Sequence, residues 1–67
     1  MRMGVEEVTE IAMEYLRKAG HSWRRTLKVI PNEKAREWKV ISDVGVIIET
    51  PKTVTIDDDS GKVTRFE

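Results

Sequence analysis

At Gly20 the spacing of apolar residues changes from helical to alternating, and this change restricts the chain to one helix followed by strands. Before it, Val5, Val8, Ala12, Tyr15, Leu16 and Ala19 recur at helical spacing, with Ile11 at the margin of the stripe. Glu6, Glu7, Glu10 and Glu14 fill the other side toward the start, Arg17 and Lys18 toward the end, in the order that suits the helix dipole. A helix is therefore expected over residues 4–19, stopped by Gly20.

After Gly20 the period becomes two. Trp23, Leu27 and Val29 fall on one side of a strand over residues 23–30, and Arg24, Thr26 and Lys28 on the other. Pro31-Asn32-Glu33-Lys34 reads as a turn. A second strand starts near Glu37, with Trp38 and Val40 inward. It continues through Ser42-Asp43-Val44-Gly45-Val46-Ile47-Ile48, where Gly45 signals a bulge or bend, and Thr50-Pro51-Lys52 closes it.

Strands over 53–57 and 62–66 flank Asp57-Asp58-Asp59-Ser60-Gly61, the chemistry of a hairpin turn. Two registers are open. A three-residue loop sets Ile56 opposite Thr64 and Val54 opposite Phe66, whereas a four-residue loop sets Ile56 opposite Val63. The expected fold is α+β, a single domain over residues 1–67 with one N-terminal helix on a curved four-stranded antiparallel meander.

A chain of 67 residues has room for one small core and none for a cofactor cleft. No nucleophile–base or acid–base pair stands out, so an enzyme is not expected and no cofactor is implied. Cysteine is absent, so no disulfide or thiolate metal site supplements the core. The absence of Gln and a single Asn, set against 36% charged residues, suggest a thermophilic source. No segment is long and apolar enough to span a membrane or act as an export signal. A cytoplasmic protein without a membrane partner is expected.

Formal net charge is zero but unevenly spread: −1 over residues 1–20, +4 over 21–40 and −3 over 41–67. Three features invite a functional reading. Asp57-Asp58-Asp59 offers oxygens for a cation, yet the EF-hand spacing fails and a solvated turn explains the cluster. His21 stands alone at the helix end, with no Cys or second His to complete a metal site. Trp23, with Arg24, Lys28 and Lys39, has the ingredients of a stacking surface for single-stranded nucleic acid. The alternation instead sends both tryptophans to the core with Leu27, Val29 and Val40, and zero net charge weakens attraction to phosphate.

Val44, Val46 and Ile48 form the most suggestive apolar set. A buried central strand accounts for them. If one helix leaves part of the sheet uncovered, they mark instead an interface with a protein partner or a second copy in a homodimer.

The order of helix, strand, Trp38-Lys39-Val40 and a closing Ile56-Asp57 through Gly61-Lys62-Val63 hairpin resembles the PepSY-like domains, relatives of the cystatin-like fold. That resemblance implies one helix on an antiparallel sheet and a role in binding or regulating peptidases. It carries over no catalytic residue. The function expected from the sequence is a non-enzymatic module that binds a protein or itself through a sheet surface or edge. The alternative is nucleic-acid binding through Trp23, Arg24, Lys28 and Lys39.

Overall fold

The computed structural model describes all residues from Met1 to Glu67. One helix, α1 (Val5–Lys18), packs on an antiparallel sheet of β1 (Arg25–Asn32), β2 (Glu37–Asp43), β3 (Pro51–Asp57) and β4 (Val63–Phe66). Spatial order equals chain order, so the sheet is the expected meander.

α1 ends by a backbone device that Gly20 makes possible. Gly20 adopts φ 97° and its N–H donates to the Arg17 carbonyl, while the His21 N–H donates to that of Leu16 at 2.9 Å. This is the Schellman closure. Val8, Ala12 and Leu16 are fully buried and meet Trp38, Val40, Val54 and Ile56 from β2 and β3. Tyr15 adds an edge-on contact with the ring of Phe66, the centroids 5.3 Å apart. Val5 and Ala19, expected on the packed stripe, are exposed because they sit at the two ends of the helix, beyond the sheet's cover. With so few buried side chains, truncating Leu16 to Ala would cost about 2–5 kcal/mol, comparable to the net stability of a domain this small.

Two bulges correct the alternation. In β1, Thr26 pairs with Ser42 and Lys28 with Ile41, leaving Leu27 as the extra residue. Facing therefore switches at Leu27. Thr26 turns to the helix side, its Oγ1 3.8 Å from the Met13 sulfur, and Leu27 is exposed. The strand begins at Arg25 rather than residue 23, so Trp23 lies outside the ladder and is 43% exposed. Only Trp38 of the two tryptophans is a core residue.

The second bulge settles the hairpin. Val54 pairs with Phe66 and Thr55 with Arg65, then the register shifts so that Ile56 meets Val63. Thr64 is the extra residue. One pairing from each expected register occurs, and Val63 and Phe66 both pack against the core.

The three aspartates of the β3–β4 turn have three different partners. The Asp57 carboxylate accepts the Ser60 N–H at 2.8 Å, closing the turn. Asp59 makes a two-point ion pair with Arg36 of the β1–β2 turn, at 2.9 and 2.6 Å. Asp58 turns inward. Only 1% exposed, it accepts the indole N–H of Trp38 at 2.8 Å and the backbone N–H groups of Arg2 and Met3 at 2.7 and 3.0 Å. The Arg2 N–H foremost, with the Trp38 and Met3 donors, holds its carboxyl at about 2, against the opposing effect of burial. The expected solvated turn is thus a structural knot joining the N-terminus, β2 and β3.

Candidate interaction surface

The opposite end of the sheet carries the exposed apolar residues. β2 stops at Asp43, and residues 44–50 form a loop to β3 rather than the extended strand the apolar run suggested. The reason is local. Asp43 is 4% exposed, and its Oδ1 accepts the N–H of Gly45 at 3.0 Å and of Thr50 at 2.9 Å, so one carboxylate ties both sides of the loop. The Val44 N–H donates to the Thr50 carbonyl at 3.1 Å, and the Thr50 hydroxyl donates to the Ile48 carbonyl at 3.1 Å. The Thr50 N–H, then that of Gly45, keeps the Asp43 carboxyl below its ordinary range, and the Arg25 guanidinium 3.5 Å away adds to the effect. A Cβ built on Gly45 would overlap the Ile48 carbonyl oxygen, so only glycine permits this close return of the chain.

Above this braced base stand Val46, Ile47 and Ile48, exposed by 78%, 95% and 77%. Three consecutive branched aliphatics contribute almost nothing to the protein's own core. Val44 differs from them: it is half-buried and packs against the core, so of the expected interface set only Val46 and Ile48 are free, joined by Ile47. Ile47 was missed because strict alternation assigns it to the covered side of a strand. The Asp43-Val44-Gly45 and Thr50-Pro51 segments at the loop's two ends were the signal available in the sequence.

Arg25 pairs with Asp43, and Asp43 with Pro51, so the α1–β1 link and the 44–50 loop leave from the same end of the sheet. Trp23 and Leu27 therefore join the loop tip at this end. The other exposed large apolar residues lie elsewhere: Met1 and Val5 at the start of α1, and Ile30 on the sheet face away from the helix.

The residues considered for nucleic acid are not brought together as a platform. Arg24 is half-buried, its guanidinium donating to the carbonyls of His21 and Ser22 at 3.2 and 2.8 Å. Lys28 and Lys39 lie on the outer sheet face, where their pairing partners are Ile41 and Ile30. Trp23 is in the link before β1, without a second exposed aromatic ring beside it in the chain. His21 is half-buried with its ring 6.2 Å from that of Phe66.

Comparison with protein-family models, with curated proteins and with solved structures gives no match. The PepSY-like resemblance therefore rests on the quoted hairpin and Trp38-Lys39-Val40 residues alone. No helix is long and apolar enough to cross a membrane.

Proposed function

We propose that this protein is a non-enzymatic docking module whose working surface is its loop end, with Val46, Ile47 and Ile48 as the inserting tip. The exposure of Ile47, 95% between two neighbours almost as bare, carries the reading. Exposed aliphatic surface favours aggregation, so a contiguous run of it signals contact with another body. The Asp43 brace and Gly45 support the same view, because a stiff loop loses less entropy on binding. Docking by strand addition is less well supported. The β1 edge is interrupted by Pro31 and the Leu27 bulge, and β4 is four residues long.

The non-enzymatic part rests on the titratable groups. The buried carboxylates Asp43 and Asp58 are held ionised by N–H donors, which suits structure rather than proton transfer. The lone histidine packs against Phe66.

The double variant Ile47→Asp/Ile48→Asp tests the reading. Its melting temperature should stay within about 3 °C of wild type, as for other surface changes. The wild-type protein in its native state should bind the apolar dye ANS and the variant should not. A melting temperature lowered by roughly 10 °C or more would show that the tip belongs to the protein's own core, and the proposal would fall.

A further inference from the structure

The segment before α1 is held to the fold by very little. Residues 1–4 enter no strand, and Met1, Arg2 and Met3 share no backbone–backbone hydrogen bond with the rest of the chain. Gly4 gives its carbonyl to the Val8 N–H at 3.1 Å, which only begins the helix. The polar ties across the molecule all run to one group. The Arg2 N–H donates to Oδ2 of Asp58 at 2.7 Å and the Met3 N–H to Oδ1 at 3.0 Å. The apolar tie is the Met3 side chain, half-buried against the core beside Gly61 and Ile11. Met1, Arg2 and Gly4 are exposed.

The group that receives these donors is anchored without them. The Asp58 N–H donates to the Arg36 carbonyl at 2.9 Å, and Oδ1 also accepts the Trp38 indole N–H at 2.8 Å. Asp57 and Asp59 on either side are engaged with Ser60 and Arg36. Residues 1–4 can therefore lift away without breaking a strand pairing or a turn bond. The stripe Val8, Ala12 and Leu16 stays on the sheet when they do.

We infer that residues 1–4 form a strap that opens and closes on the intact fold, with the Asp58 carboxylate as its latch and Met3 as its apolar peg. Opening uncovers a carboxylate that is 1% exposed under the closed strap, together with the flank of Ile11 and Gly61. The strap is thus a lid at the end of the sheet opposite the 44–50 loop. It works whether or not that loop docks on anything.

Native-state hydrogen exchange at neutral pH tests the strap, with urea added below the unfolding transition. An opening confined to residues 1–4 exposes little surface, so exchange at the Met3 amide should be nearly independent of urea. The Val40 and Val54 amides lie in the central strands and should exchange roughly a hundredfold more slowly, accelerating steeply with urea. Asp58→Asn should lower Met3 protection at least about tenfold, because a neutral amide oxygen accepts more weakly than a carboxylate. Val40 and Val54 should remain protected in that variant, which establishes that it is folded. The urea response of the wild type decides the question even if the variant does not fold. The inference is overturned if Met3 exchanges as slowly as Val40 and with the same urea slope, since the segment then moves only with global unfolding. It is also overturned if the Met3 amide is unprotected in the wild type, or if Asp58→Asn leaves its protection unchanged.

Discussion

Asp58 shows how much one side chain governs here. Its carboxylate gathers donors from the chain start and from Trp38, twenty positions away, and is shielded from water. Because its folded value of about 2 is below the roughly 3.9 of an unfolded aspartate, its contribution is complete above the unfolded value. That contribution is lost as the pH falls from about 4 through about 2. Asp43 and Asp59, also lowered, act in the same direction. Melting curves across this range should show a steep loss of stability in the wild type and a shallower one in Asp58→Asn. At neutral pH the variant should melt lower, on the order of 10 °C, because Trp38 and the Arg2 and Met3 amides lose a charged acceptor. An unchanged pH profile would remove Asp58 from its assigned role. None of this was legible beforehand. Three identical aspartates in a row do not reveal which faces inward, since that depends on where the Trp38 indole arrives.

At the scale of elements, what could be read was whatever depends on a single segment. The stripe Val8, Ala12 and Leu16, the stop at Gly20 and the inward Trp38, Val40, Val54 and Ile56 all follow from period and turn chemistry. What could not be read depends on the neighbouring strand. A bulge is defined by two residues facing one, so Leu27 and Thr64 look ordinary in sequence, and the Leu27 bulge reverses the facing on which the Trp23 expectation depended. The 44–50 loop is intermediate. Gly45 marked a break, but the apolar run concealed that Asp43 closes the loop around it. Gly45→Ala should therefore force the loop to rearrange. Hydrogen exchange should show faster exchange at the Thr50 and Gly45 amides than in wild type. Retained protection there would contradict the close return of the chain.

The two ends of the whole molecule differ in how they are held. At one end the N-terminus, the two turns and the aspartate knot tie the fold together. At the other a braced loop carries Val46, Ile47 and Ile48 into solvent, at the end of the sheet from which the Trp23 link also leaves. The fold class could be foreseen. The exposed apolar tip could be foreseen only in part, through Val46 and Ile48, because exposure is a property of the assembled sheet. The most direct measurement is solvent paramagnetic relaxation of methyl signals by a soluble gadolinium chelate. Strong broadening is expected at the methyls of Val46, Ile47 and Ile48, with Val40, Val54 and Leu16 unaffected. Tip methyls as well protected as those of Val40 would place the 46–48 run inside the protein and contradict the account.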